Sequence, residues 1–305
     1  MRNMFRVMGM VTVVLSWLAV TGCQGGNNAG KQQAVGDSVG VQDSSAAGDE
    51  QAKPKQRRVQ GPNWLREVED SLVFTVGDVR FKMVGVKANT SFIMGVGYEE
   101  YEDYNSAHEV WLCNYYIGET EVTQALWKAV MGSEPEFNGG WKDAYGKGDQ
   151  YPVYRVSYDE VVTFILKLRK ITGELFRLPT EAEWEFAALG GRKSHGYRYS
   201  GSDRLRDVAW CSGSSSHPVA QRKPNELGLY DMTGNVFEWC LDWYCEYDGD
   251  EMSPIGANTG DSKVMRGGCW MNETVKSDHF LCQVTNRECR LPNEPSYCVG
   301  FRLVL

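Results

Sequence analysis

The stretch GLYDMTGNVFEWCLDWY, residues 228–244, decides how this chain is read. It brings the carboxylates Asp231 and Glu238, a Gly-Asn pair at Gly234 and Asn235, and several large rings into a few turns of chain. Three structures are compatible with that composition: a metal loop, a catalytic pocket, or a corner nailed down by aromatic side chains. Calcium takes six to eight oxygen ligands, and a glycine-centred turn lets backbone carbonyls point at an ion beside the carboxylates. Without an ion, the same carboxylates would accept from buried loop N–H groups.

Upstream, FKMVGV (81–86) and TSFIMG (90–95) read as two strands joined by a turn, and VWLCNYYI (110–117) as a third. In ETEVTQALWKAVMG the period changes: Leu126, Trp127 and Val130 share a helical face, and Gly132 stands where a C-terminal cap belongs. Ser157 and Glu160 form a capping box that opens a helix ending near Gly173, with Val161, Ile165 and Leu168 on one side. Thr180 and Glu183 form a second box before EAEWEFAAL. Of its three glutamates, Glu183 is expected to cap, while Glu181 and Glu185 favour the helix dipole or pair with neighbouring charges. After Gly191 no period is sustained until VMRGGCW and VGFRLVL, which read as closing strands. Ten tryptophans and fifteen tyrosines give such irregular backbone its anchors, because each ring combines a large apolar body with a polar tip. The class expected is α+β, loop-rich, with short sheets and two to three helices.

The N-terminal end carries a different message. Arg2 and Arg6 precede an apolar run, residues 7–20, of signal-peptide length and short of the roughly 20 residues a span needs. The run stops at Gly22-Cys23, which resembles a bacterial lipobox; an ordinary cleaved signal with an incidental cysteine is the other reading, and the placement of Cys23 favours lipidation. Residues 24–58 are Gly, Ala, Gln, Asn, Ser and Asp with almost nothing large and apolar, so they cannot bury enough surface to offset their ordering entropy. The domains expected are a lipoprotein signal at 1–22, a flexible tether at 23–66 and one domain at 67–305. Loss of the signal would take the net charge from −8 to −10, and a mildly acidic domain without a basic stripe argues against nucleic acid. Eight cysteines besides Cys23 permit disulfides in an oxidising compartment, and none is spaced C-x-x-C as a redox or zinc motif would be.

FKMVGV, YYIGETEVTQALW, PVYRVSY, FRLPTEAEWEFAALGG, GLYDMTGNVFEWCLDWY, VMRGGCW and GFRLVL follow one another in the order of the sulfatase-modifying-factor family, whose best-known member is the formylglycine-generating enzyme. The resemblance spans about residues 81–305. It implies the formylglycine-generating-enzyme fold, a variant of the C-type lectin fold. It also implies a structural calcium held by the carboxylates of Asp231 and Glu238 and the carbonyls of Gly234 and Val236. A second calcium site of the family is not matched, since Val208 stands where its asparagine would begin.

The family's oxidase converts a cysteine of its protein substrate to formylglycine with oxygen and a copper ion held by two thiolates. Soft thiolates suit Cu(I). Counting forward from Cys269, which occupies the serine of the family's G-G-S, gives Asn272 and Ser277; counting backward from Arg287 gives Thr274 and His279. Neither frame supplies a cysteine, so copper is not expected. Cys269 and Cys282 flank the loop and could converge on a metal, form a disulfide, or sit as small buried hydrophobes. Phe237 replaces the tryptophan near the family's active site. Cys269, Cys282, His279 and Phe237 are therefore the pocket candidates. Two functions compete. One is an envelope lipoprotein that presents loops to a protein or glycan partner; the other is an oxidase with displaced ligands. Sulfoxide synthesis by iron-dependent relatives needs a further helical domain with a His-rich motif, for which residues 24–70 leave no room.

Overall fold

The computed structural model describes residues 67–95, 106–135, 139–247, 251–252, 256–257, 259–271 and 280–305. The expected leader, the tether, Cys23 and His279 lie outside them. No helix among the described residues is long and apolar enough to cross a membrane.

The helices stand where capping chemistry placed them. In α1 (Gln124–Met131) the Thr123 side chain accepts from the Leu126 N–H, and Gly132, at φ 85°, closes the last turn on Lys128. In α2 (Tyr158–Thr172) Ser157 and Glu160 make the reciprocal box, and Val161, Phe164, Ile165 and Leu168 form the buried side. In α3 (Glu181–Ala188) Thr180 and Glu183 do the same, but here every residue is buried. That burial on all sides is what a central helix shows. A single turn, α4 (Leu205–Val208), follows.

The strands are β1 (Ser71–Val76), β2 (Val79–Val86), β3 (Thr90–Met94), β4 (His108–Leu112), β5 (Tyr115–Gly118), β6 (Phe237–Trp243), β7 (Glu251–Met252), β8 (Lys263–Arg266), β9 (Arg287–Arg290) and β10 (Val299–Gly300). They form three sheets, ordered β1-β2-β5, β3-β4-β7 and β10-β6-β8-β9. Three expectations need correction. β2 and β3 do not pair: β2 lies between β1 and β5, and β3 pairs with β4. The expected single strand over 110–117 divides between two sheets. Its burial pattern explains the break, because Val110 and Leu112 alternate with exposed Glu109 and Trp111, whereas all four residues of β5 are buried. Alternation marks a half-covered strand and a continuous buried run marks one covered on both faces. Finally, β6, inside the Gly228–Tyr244 stretch that lacked any period, is a strand of the four-stranded sheet between β10 and β8. Its first four residues are buried without alternation, which hides the period of two.

Of the expected closing strand VGFRLVL, only β10 is a ladder strand, parallel to β6. The last residues instead run beside β5, where Tyr116 and Leu305 exchange both backbone hydrogen bonds at 2.9 Å. Two large cores result. One gathers α1, α2 and the C-terminal end, with Trp127 stacked on Phe164 at 5.3 Å and Phe301 edge-on to Phe164 at 5.2 Å. The other surrounds α3, with Trp184, Phe186, Val110, Leu112 and Val264. Each buried ring of this kind stabilises the fold by roughly 1.5–3 kcal/mol through removal of apolar surface from water.

The buried Asp242 on β6 joins the two halves by accepting from the Glu181 N–H at 2.8 Å, in the first turn of α3. Burial, reinforced by the charge of Glu181, pushes its carboxyl from 3.8 up to about 8. A carboxyl whose folded pKa lies above its unfolded value stabilises fully below the unfolded pKa, and that contribution is lost as pH rises through the folded one. Urea unfolding should therefore show wild-type stability falling between about pH 4 and about pH 8. Asp242→Asn, which keeps an acceptor for the Glu181 N–H, should flatten that fall. An unchanged slope in the variant would contradict the assignment.

Candidate functional site

The Gly228–Tyr244 stretch is a corner tied by a buried amide. Asp231 and Asn235 both adopt left-handed backbone, with φ of 56° and 59°. Such conformations are several-fold enriched in these two residue types. The Asn235 side chain accepts from the His217 N–H at 2.9 Å and donates to the His217 carbonyl at 3.2 Å. Its backbone N–H donates to Trp210, and its carbonyl accepts from Trp270. Gly234 precedes it because a Cβ there would stand 2.6 Å from the Trp210 carbonyl and 2.9 Å from the Cys211 sulfur. One asparagine thus joins the 210–217 segment, the start of β6 and the GGCW loop.

The carboxylates of the expected calcium set, Asp231 and Glu238, come close together, and Glu238 has partners within the protein. Both Glu238 oxygens accept from Arg302, through Nη2 and Nε at 2.7 Å, and Oε2 also accepts from Trp184 Nε1 at 2.7 Å. Glu238 and Arg302 are wholly buried. These three donors take most of the roughly four acceptor sites of the Glu238 carboxylate. Gly234 and Val236 lie in the same buried corner. Asp231 accepts from the Ala220 N–H with Oδ2 at 2.7 Å, while its Oδ1 and the Oε1 of Glu121 are buried without partners. Burial raises both carboxyls, that of Asp231 to about 6. Among the described residues, no group of three or more His, Cys, Asp or Glu side chains is arranged to hold a metal. Arg302 thus holds Glu238, while the neighbouring Asp231 and Glu121 carboxyls each keep one buried oxygen without a partner.

The pocket candidates separate. Cys282 is not a partner for Cys269: it forms a disulfide with Cys211, 71 residues away in sequence. The bridge is clasped by the two glycine turns, since a Cβ on Gly268 would meet the Cys282 sulfur at 2.9 Å, matching the approach of Gly234 to Cys211. His279 lies outside the described residues. Phe237 and Cys269, both buried, belong to one core, and a residue the sequence reading passed over joins them. The Cys298 carbonyl accepts from the Phe237 N–H at 2.8 Å, and the Ser296 hydroxyl lies 3.3 Å from the Cys298 sulfur. The signal for Cys298 was available, since it stands two residues before the GFR motif, as Cys269 stands directly after the GG.

Beside this region a cleft of about 860 Å³ opens between Tyr199, Arg204, Trp210, His217, Arg222 and Trp270. Its wall is a three-layer stack: the Arg222 guanidinium lies 3.6 Å above the Trp210 ring, and the His217 ring lies 3.6 Å from the same indole.

The model of the sulfatase-modifying factor enzyme 1-like domain matches residues 45–305. The chaperone protein LppX of Paenibacillus barcinonensis is 32% identical, over 55% of this chain and 73% of that protein. The formylglycine-generating enzyme of Thermomonospora curvata is 30% identical, over 58% of this chain and 62% of the enzyme. Among solved structures, Treponema denticola variable protein 1 has a TM-score of 0.67 at 32% identity, covering 78% of this chain and 99% of that one. PvdO from Pseudomonas aeruginosa has a TM-score of 0.64 at 25% identity, with the same coverage of each chain.

Arg302→Met should destabilise the domain by about 3–5 kcal/mol in urea unfolding, the usual cost of stranding a buried charge. Chelator should lower the wild-type midpoint, and that of Asp231→Ala less, where an ion completes the unpaired Asp231 and Glu121 oxygens; an unchanged midpoint would leave Arg302 as the cation that holds this corner.

Proposed function

Because the chain belongs to the sulfatase-modifying factor enzyme 1-like family and has the formylglycine-generating-enzyme fold, we propose that it uses this scaffold as a binding or assembly module of the bacterial cell envelope, outside the cytoplasm, rather than as a copper oxidase. The observation that carries this reading is the Cys211–Cys282 bridge. Cys282 is the single cysteine between Trp270 and Glu288, the stretch in which the family's two copper ligands fall. A sulfur in a disulfide has no thiolate to offer Cu(I). The displaced-ligand oxidase loses its second sulfur in the same step.

Three further observations support the module. A disulfide suits an oxidising compartment. The Arg222–Trp210–His217 stack gives the cleft a flat, hydrogen-bonding and cationic wall of the kind that recognises a polar protein loop or a glycan. That wall sits on loops held by the frame, as in lectin-like folds, where recognition concentrates on loops. Cys23, lipidated, would anchor the chain, with residues 24–66 as the tether.

Two outcomes are expected. The protein supplied with Cu(I) and oxygen should leave a peptide carrying Cys-x-Pro-x-Arg unconverted in mass spectrometry while an authentic formylglycine-generating enzyme converts it; aldehyde formation would make this chain an oxidase. Cys23→Ser should move the protein from the membrane fraction to the soluble fraction of expressing bacteria, and unchanged membrane retention would remove the anchor.

A further inference from the structure

Three residues of the cleft wall hang from one asparagine. Asn235 donates its backbone N–H to the Trp210 carbonyl at 2.9 Å, and its own carbonyl accepts from the Trp270 N–H at 2.9 Å. Its side chain grips the His217 N–H and carbonyl, at 2.9 Å and 3.2 Å. The Gly213 N–H donates to the Trp270 carbonyl at 2.7 Å, joining the 210–217 segment to the GGCW loop a second time. Cys211 adds a covalent tie next to Trp210 through its bridge to Cys282. The backbones that carry these three rings are therefore fixed before any ligand arrives, and a preorganised wall loses less freedom on binding.

The polar groups of this wall are unmatched in one direction. Trp210 Nε1, Trp270 Nε1 and Arg222 Nε are buried donors without an acceptor, and all three belong to residues that line the cleft. Trp270 is only 4% exposed. Indole and guanidinium N–H groups donate and never accept. Buried polar groups of folded proteins have partners as a rule, so such donors call for an acceptor. Three arginines line the cleft, the half-buried Arg222 and the exposed Arg204 and Arg206. Arg204 is paired only loosely, 3.8 Å from Asp207. The lining holds one carboxylate, Asp203, which already accepts from the Arg198 N–H at 2.9 Å. Burial, with the charge of Arg222, lowers the pKa of His217 from 6.5, so at neutral pH the stack carries the Arg222 charge alone. The whole chain has a net charge of −8, so this positive cleft is a local feature and not part of a basic surface.

We propose that the cleft takes an acidic saccharide, a sugar bearing a carboxylate or sulfate group, with Arg222 and the two indole N–H groups as donors to its oxygens and Arg204 and Arg206 drawing the oxyanion in. The proposal rests on the binding-module reading and names the ligand class of that cleft. Its volume of about 860 Å³ falls within the roughly 300–1,000 Å³ of small-ligand sites. Carboxylate and sulfate oxygens only accept, which answers a wall of donors, and their bonds to a guanidinium are charge-assisted. The choice of a saccharide over an acidic peptide follows from the same imbalance. A sugar hydroxyl turns to accept or donate as the wall requires. A peptide N–H only donates, and each one would need an acceptor that arginines and indoles lack.

The test is isothermal titration calorimetry of the full chain with tetragalacturonate, which carries carboxylates only, a carrageenan tetrasaccharide, which carries sulfates only, neutral maltotetraose, and tetraglutamate. At least one acidic saccharide should bind, more weakly as salt is raised, while maltotetraose and tetraglutamate give no heat. Binding of tetragalacturonate alone makes the ligand carboxylated, binding of the carrageenan sugar alone makes it sulfated, and binding of both makes the shared oxyanion the determinant. Arg222→Gln should weaken binding about tenfold or more, the loss of one charge-assisted hydrogen bond. Arg206→Gln, at an exposed position where folding is not at stake, should weaken it less and reduce its salt dependence. Failure of both acidic saccharides to bind would overturn the proposal. So would equal binding of maltotetraose or tetraglutamate, or acidic-saccharide binding that both variants leave unchanged. The same preparation, given Cu(I), oxygen and the Cys-x-Pro-x-Arg peptide, keeps the two readings apart. Aldehyde formation would overturn the module and the site that rests on it together, whereas absence of both aldehyde and saccharide binding would overturn the acidic-saccharide site alone.

Discussion

Guanidinium forks bind the irregular parts of this molecule to its helices and sheets. Arg302 pairs with Glu238 and also donates to the carbonyls of Gly118 and Tyr230, at 2.7 Å and 2.9 Å. Arg266 pairs with Glu185 and donates to the carbonyls of Val284, Thr285 and Asn286. Arg287 pairs with Glu181 and donates to the Cys245 carbonyl. The reason is geometric. A domain with short strands buries many loop carbonyls that no ladder can satisfy, and each needs a donor. Arginine offers five donors in a rigid planar array, so one side chain can serve a carboxylate and two or three carbonyls together. Its charge must then be balanced within the protein. α3 supplies part of that balance, with Glu181 and Glu185 one turn apart and both buried.

Such pairs are weak evidence for net stability, because desolvation of both ions offsets most of their attraction. Their effect lies in specificity. A loop whose carbonyls match a fixed fork has one low-energy arrangement, and alternatives strand a charge. The same logic governs the corner before β6. Glu238 there accepts from both ends of the Arg302 fork, so the loop is tied to a residue three positions before Leu305.

What could be read from the sequence follows from the range of each signal. Helix ends depend on a hydroxyl, a glutamate three residues on, and a glycine, so Ser157, Glu160, Gly173, Thr180 and Glu183 were legible locally. Strand partners depend on residues far apart, and the division between β4 and β5 rests on a change in covering that only the folded chain supplies. β6 escaped because burial on both faces erases alternation. In the site, Phe237 and Cys269 were legible as departures from a motif, whereas the partner of Cys282 was not, because Cys211 is 71 residues upstream.

The framework and the site respond to different constraints, and that separation explains how chemistry changes on this scaffold. Asn235 and Arg302 each hold several backbone groups, and Glu238 fixes Arg302, so replacing any one releases loops on more than one side. Phe237, Cys269 and Cys298 meet beside those residues, yet the backbone bonds that position them use only N–H and carbonyl groups. Their side chains can therefore be exchanged without disturbing what places them. Reactivity at this corner is set by side chains that the framework orients but does not use.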